Sequence, residues 1–293
     1  MNIAFYLHDE KDSVVFERQL LWFKKNYALV SSQDIRACYY EGKKLKNACH
    51  LTIDDGWLST YQVIFPLLKK HAVPASIFVS PQACLEGNNF WYMEYKGYDE
   101  TCIKKILIRR GLFTSNILPF PVDLIFKEMK IDDVYSVLEE YRSLNRISLK
   151  SRAIINEREL KEMDASGLIE IGAHTITHPV LANESAERME NEIRCSIDGL
   201  SQLLNRKITS FAYPNGLPGV DFGSREMEIV KSCGIELAYS VQPGTFTGKG
   251  NPLAIPRTGS IARLKLGYMG LHLPSLHDQE KPRKLIRSCK LSK

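Results

Sequence analysis

The sequence predicts an α/β protein built on parallel strands. Short apolar runs of strand length recur along it, amphipathic helical patterns separate them, and two runs end abruptly in aspartate or histidine clusters. The first run, 3–7, leads into His8. Residues 14–27 follow, with Phe16, Leu20 and Phe23 near helical spacing. The apolar run 48–53 stops at Asp54. Residues 60–71 set Val63, Ile64, Leu67 and Leu68 on one helical face, and 75–79 reads as the next strand. Residues 88–152 break the rhythm. Their pattern is mostly helical, at 106–110, 124–129 and 134–141, and they read as an insertion that packs on the core or acts as a lid. Strand-like runs then return at 168–171, 208–212 and 237–241. Between the first two, residues 186–204 place Met189, Ile193, Ile197, Leu200 and Leu204 at steps of three or four. The expected organisation is one domain over 1–270, insertion included, and a basic tail over 271–293.

The chain has 293 residues, long enough to bury a core without staples. Hydrophobic residues make up 44% and charged residues 25%, which excludes a disordered or fibrous chain. The formal net charge is +5, with no basic stripe interleaved with aromatics, so nucleic acid is not an expected partner. The one dense basic run is the tail, with Lys281, Arg283, Lys284, Arg287, Lys290 and Lys293, and it reads as solvated. No segment approaches the roughly 18 apolar residues of a membrane span. Charge arrives at Asp9, Glu10 and Lys11, too early for a signal peptide, so the expected location is cytoplasmic. The seven cysteines are widely spaced, odd in number and without C-x-x-C, as in a chain of reduced thiols.

Two segments carry chemistry. In Leu51-Thr52-Ile53-Asp54-Asp55-Gly56-Trp57, an apolar run ends in two carboxylates. One can ligate a metal while the other stays free as a base. The same residues would also suit a turn in which an aspartate caps the next helix. In the second segment, His174 and His178 stand four apart, so a helical turn would put both imidazoles on one face. His-x-x-x-His is a common way to hold a divalent ion. Two neutral imidazoles plus one carboxylate leave coordination positions open, as a catalytic metal site requires. A pair of surface or capping histidines is the competing reading.

Together these segments resemble the polysaccharide deacetylases, the NodB-homology proteins of carbohydrate esterase family 4. Thr52-Ile53-Asp54-Asp55-Gly56 is similar to the family's T-F-D-D-G motif, with Ile53 in place of Phe. His174-Thr175-Ile176-Thr177-His178-Pro179-Val180-Leu181 is similar to H-[ST]-x-x-H-x-x-L, and Phe211-Ala212-Tyr213-Pro214-Asn215-Gly216 to the F-A-Y-P-x-G form of the third motif. The resemblance covers most of residues 3–260. It implies an irregular (β/α) barrel of about seven parallel strands with a metal at the C-terminal rim. Its cofactor is one divalent ion, usually zinc, with cobalt, nickel or manganese as substitutes. By resemblance, Asp55, His174 and His178 are the metal ligands, Asp54 is the general base, and the backbone N–H of Asn215 is an oxyanion donor.

The subgroup of poly-N-acetylglucosamine deacetylases draws its general acid from an N-terminal Y-H motif. Phe5-Tyr6-Leu7-His8 resembles that motif with the tyrosine displaced by one, which assigns the acid to His8, ahead of Leu271-His272 and His277 in the tail region. The wider family carries an arginine in the third motif where this chain has Ala212. Arg257, in Ile255-Pro256-Arg257-Thr258-Gly259, could supply that charge, or form a surface salt bridge. Trp57, Tyr213 and Trp91 would offer rings to the apolar face of a sugar, or serve as packing.

The implied activity is metal-dependent removal of N-acetyl groups from an amino sugar in a polysaccharide, oligosaccharide or lipid-linked glycan. The alternatives are a deformylase or amidase acting on another small or lipid-linked amide, and a catalytically silent glycan-binding module. A glycosidase is disfavoured, because its two carboxyl groups must face each other across the bond, about 5–9.5 Å apart.

Overall fold

The computed structural model describes residues 1–259 and 277–291. Eight strands run in chain order as β1 (Ile3–Leu7), β2 (Ala28–Leu29), β3 (Ala48–Ile53), β4 (Ala75–Val79), β5 (Ile169–Ala173), β6 (Ser210–Ala212), β7 (Leu237–Tyr239) and β8 (Arg257–Gly259). The helices are α1 (Ser13–Asn26), α2 (Ser32–Tyr40), α3 (Phe65–His71), α4 (Pro81–Glu86), α5 (Trp91–Tyr95), α6 (Glu100–Arg109), α7 (Val122–Phe126), α8 (Ile131–Asn145), α9 (Glu157–Asp164), α10 (Ala186–Leu204), α11 (Ser224–Ser232) and α12 (His277–Ser288). Side-chain caps fix several starts. Asp12 accepts from the first turn of α1, Ser31 and Asp34 form a capping box on α2, and Asn156 and Glu159 do the same on α9.

Every strand pairing is parallel, in the order β7-β6-β5-β4-β3-β1-β8, with β2 beside the start of β3. The two ends of this order also meet. Ser240 donates its N–H to the Ile255 carbonyl at 2.9 Å, and Ile255 donates to the Ala238 carbonyl at 2.8 Å. This links β7 to the segment entering β8 and nearly closes a barrel of seven parallel strands, the irregular (β/α) barrel expected.

Strand alternation divides the side chains into two sets. Ile3, Phe5 and Leu7 of β1, Cys49, Leu51 and Ile53 of β3, and Ala75, Ile77 and Val79 of β4 point outward into the main apolar core with the surrounding helices. From α10, Met189, Ile193, Ile197 and Leu200 join that core. The other parity faces the barrel interior, where Ala4, Ala48, Phe78, Ala212 and Tyr239 pack together. Gly172 of β5 has that parity too. A Cβ there would lie 2.5 Å from the Phe78 ring and 2.6 Å from Ser210 Oγ, so glycine makes room for the aromatic filling of the barrel. The interior also holds polar groups. His50 is buried, with Nδ1 at 2.8 Å from the Val30 carbonyl and Nε2 at 2.9 Å from Ser76 Oγ.

The insertion forms α5 to α8 around a second apolar cluster that includes Ile103, Leu107, Ile125, Val134 and Leu138. Ile286 and Cys289 of the C-terminal segment complete that cluster. The tail reading is corrected here for residues 277–291. They form a docked helix and a short extension, and Arg283 is buried between Glu128 of the insertion and Asp221 of the barrel. An amphipathic pattern with Ile286 on its apolar side lies within the basic run, and charge density alone hid it. All seven cysteines are free. Among the described residues no helix is long and apolar enough to cross a membrane.

Candidate active site

The site sits where β1, β3 and β5 end. Inward parity runs through Tyr6 to His8 on β1, through Thr52 to Asp54 on β3, and through Gly172 to His174 on β5. Asp54 continues β3, its N–H donating to the Leu7 carbonyl at 3.0 Å. Its carboxylate meets Arg257, which donates from Nη1 to Oδ1 at 2.7 Å and from Nη2 to Oδ2 at 2.8 Å. Arg257 also donates to the Ser240 carbonyl at 2.9 Å and to Thr52 Oγ1 at 3.1 Å. The guanidinium lies over the rings of Tyr6, Phe78 and Tyr239. It is fully buried, so the surface-salt-bridge reading of Arg257 is corrected. Burial by itself would raise the Asp54 carboxyl. The charge and hydrogen bonds of Arg257, with smaller contributions from His174 and His8, outweigh burial and hold it below the ordinary carboxylate range.

Strict alternation would send Asp55 to the opposite side of the sheet from Asp54. Instead Asp55 takes a left-handed backbone, φ 72°, followed by Gly56 at φ 66°. A Cβ on Gly56 would lie 2.8 Å from a Val79 methyl, so this turn is closed to other residues. The turn brings both carboxylates into one cleft. Asp55 Oδ1 lies 3.4 Å from His174 Nε2 and 3.4 Å from His178 Nε2. Its other oxygen accepts from the Trp57 indole N–H at 3.0 Å.

His174 donates from Nδ1 to the Ala212 carbonyl at 2.7 Å. A carbonyl can only accept, so this bond fixes the tautomer and leaves the Nε2 lone pair for the centre. The helical turn expected between the histidines is absent. Thr175 and His178 both adopt left-handed backbones, φ 64° and 59°, in an irregular loop. Glu192 of α10 shapes that loop, accepting from the N–H groups of Ile176 and Thr177 at 2.9 Å each and from Thr177 Oγ1 at 2.7 Å. The rings of His174 and His178 end 4.9 Å apart.

Ligand atoms of Asp55, His174 and His178 lie within 4.8 Å of one another. All three residues are buried, and Asp55 Oδ1 has no hydrogen-bond partner among the described residues. A buried acceptor that two imidazole nitrogens face fits a divalent cation. Burial would raise the Asp55 carboxyl, but His8 and the two histidine contacts pull it well below its usual value. His178 is lowered, chiefly by burial. His174 is raised, because Asp55 and Asp54 outweigh its burial.

His8 stands at the mouth, its side chain 47% exposed and its Nε2 4.0 Å from Asp55 Oδ2. Asn215 lines the same cleft in a left-handed turn, φ 58°, and its backbone N–H has no acceptor among the described residues. All three aromatics line this cleft. Trp57 is half-buried and held by Asp55. Tyr213 is buried, with one face stacked on Phe222 at 3.7 Å and its hydroxyl bound to the Leu253 carbonyl at 3.0 Å. Trp91 is buried too, stacked on Tyr95 and donating to the His178 carbonyl at 3.1 Å. Burial and stacking fix the rings of Tyr213 and Trp91 in the wall of the cleft. Leu271, His272 and the side chain of His277 lie outside the described residues. The cleft, about 430 Å³, is also lined by Tyr92, Asp123 and Lys127 of the insertion and by Arg283. Of these, the sequence singles out Arg283, as part of the basic run. No short-range pattern marks the others as belonging to a cleft.

A barrel whose rim joins an Asp-His-His trio to an arginine-bound aspartate has the layout that the resemblance to polysaccharide deacetylases implies. A polysaccharide deacetylase family model matches residues 124–238, which hold the second and third motifs but not Asp54 and Asp55. The poly-β-1,6-N-acetyl-D-glucosamine N-deacetylase of Staphylococcus aureus is 22% identical over 251 residues, covering 83% of this chain. The chain spans 64% of the length of that curated relative. Among solved structures, IcaB from Ammonifex degensii is 17% identical, with a TM-score of 0.58 over 98% of this chain and 97% of its own. The Streptococcus pyogenes deacetylase PplD in complex with acetate is 16% identical, with a TM-score of 0.58 over 88% and 91%. The chain is thus similar to polysaccharide deacetylases, the poly-β-1,6-N-acetyl-D-glucosamine N-deacetylase of Staphylococcus aureus among them.

Proposed function

We propose that this chain is a metal-dependent hydrolase that removes N-acetyl groups from an amino sugar in a polysaccharide, oligosaccharide or lipid-linked glycan. One observation carries the reading. A converged Asp55–His174–His178 donor set stands beside a second buried carboxylate, Asp54, held ionised by Arg257. A glycan-binding module has no use for that second carboxylate.

A divalent ion, zinc by the chemistry of two imidazoles and a carboxylate, would be held by Asp55, His174 and His178 and would supply Lewis acidity to the acetamide carbonyl and to water. Asp54 takes a proton from the attacking water as general base. Its two bonds to Arg257 orient the carboxylate and leave each oxygen a second lone pair. The backbone N–H of Asn215 donates to the oxygen that gains negative charge. His8, at the solvent-facing mouth, gives a proton to the departing amine nitrogen and regains one from water. Water and amide become acetate and a free amine.

The test joins metal content to turnover. Purified protein should hold about one zinc or cobalt ion per chain, lost in His174→Ala. It should release acetate from N-acetylglucosamine oligomers, while Asp54→Asn keeps its metal and releases none. A folded chain that takes up neither metal would overturn the reading.

A further inference from the structure

The insertion reaches into the site. Its first helix, α5, is tied to the histidine loop by the Trp91 bond to the His178 carbonyl. Next to it, the Tyr92 ring lies 4.9 Å from the His178 ring, 5.8 Å from Phe90 and 6.2 Å from Trp57, measured between centroids. These contacts fix the ring, and Tyr92 lines the cleft with the metal-type trio and Asn215.

Its hydroxyl shares with those of Tyr98 and Tyr239 the lack of a normal hydrogen bond among the described residues, but of the three rings that of Tyr92 lines the cleft. The Tyr92 hydroxyl is buried and has no hydrogen-bond partner of normal geometry among the described residues. Its charged neighbour is the Asp55 carboxylate, which acts on it by charge and by a contact looser than a normal hydrogen bond. Leaving a buried hydroxyl unpaired is unfavourable. Phenylalanine would make the same ring contacts without that cost, and the hydroxyl is left able to donate to a group that enters the cleft. Asp55 Oδ1, between the two histidine nitrogens, is unpaired as well. A donor and an acceptor, both unsatisfied, therefore border the place where the scissile group would sit.

We propose that the Tyr92 hydroxyl is a catalytic hydrogen-bond donor supplied by the insertion, acting on the acetyl oxygen of the substrate as negative charge develops there. The inference rests on the hydrolase reading above. The phenol keeps its proton throughout, and no bond to it forms or breaks. A donor aimed at developing charge contributes roughly 10²–10³ in turnover rate. Tyr92 would join the Asn215 N–H in that task. The insertion would then be part of the reaction site.

The test is Tyr92→Phe, which deletes one oxygen and keeps the ring. Three quantities are measured on wild type and variant: zinc affinity, calorimetric binding of acetate to the zinc-loaded protein, and kcat and KM on N-acetylglucosamine oligomers. The expected result is a fall in kcat of about a hundredfold with KM within about threefold. Acetate, which presents the same kind of oxygen, should bind about tenfold more weakly, with zinc affinity and melting temperature unchanged. Unchanged kcat and acetate affinity would overturn the proposal. So would a loss of zinc affinity that accounts for the loss of rate, because Tyr92 would then only position Asp55. A wild-type chain that binds zinc but releases no acetate would overturn the hydrolase reading instead, and the acetate-binding comparison would still decide whether Tyr92 donates.

Discussion

Replacing Arg257 by leucine removes a guanidinium that makes four hydrogen bonds inside the barrel, two of them to Asp54. The side chains of Arg257 and Asp54 are 0% and 3% exposed, so water screens the pair very little. Removing one partner of such a pair leaves the other as an uncompensated buried charge, at a cost of about 3–5 kcal/mol. At 1.4 kcal/mol per factor of ten, the folding constant should fall roughly a hundred- to a few-thousandfold. The pH dependence follows from the sign of the shift. In the wild type, the Asp54 carboxyl lies below its unfolded value. Its stabilisation is therefore complete above about pH 3.9 and is lost as pH falls through the folded value. In Arg257→Leu, burial acts without its main opponent and raises the carboxyl. The destabilisation should then be largest at neutral pH and shrink toward acid. The acid limb of kcat/KM should move to higher pH, because the base must be ionised.

Urea unfolding of wild type, Arg257→Leu, Asp54→Asn and the double variant, between pH 5 and 8, gives the coupling energy directly. The double variant should be more stable than Arg257→Leu alone. A loss under about 1 kcal/mol, no coupling in the cycle, or an unmoved acid limb would refute the reasoning.

Two further outcomes follow from the packing. Arg283→Met removes the ion-pair partner of the buried Asp221 and leaves Glu128 with Arg287, so hydrogen exchange should rise across α12, α7 and α8 while the barrel strands stay protected; equal protection in both proteins would show that the ion cluster does not hold the tail. Gly172→Ala drives a methyl against Phe78 and should cost about 1–3 kcal/mol, with part of the loss recovered by adding Phe78→Leu; a neutral Gly172→Ala in urea unfolding would mean the barrel interior is looser than its contacts indicate.

Periodicity made much of the fold legible. The runs 3–7, 48–53 and 75–79 coincide with β1, β3 and β4, and the helical pattern 186–204 coincides with α10. Each is long enough for alternation or a 3.6-residue stripe to stand out. Strands β2 and β8, of two and three residues, carry too little pattern to be read, and β6 and β7 are shorter than the apolar runs containing them. The residues of the trio were legible because their spacing within two short motifs survives in any fold that uses them. Their geometry was not. Left-handed residues at Asp55, Thr175 and His178 aim side chains where neither strand nor helix periodicity would put them.

The sequence by itself determined the α/β class, the order of the main strands and the identity of the groups at their C-terminal ends, because these depend on local pattern and on chemistry carried within a few residues. Only the tertiary structure decided which of those groups meet. Asp54 and Arg257 are 203 positions apart, Arg283 and Glu128 are 155 apart, and the Tyr92 hydroxyl comes from an insertion whose helical pattern is that of ordinary packing. Contacts of that separation come from barrel closure and from docking of the insertion and tail, and no local pattern records either.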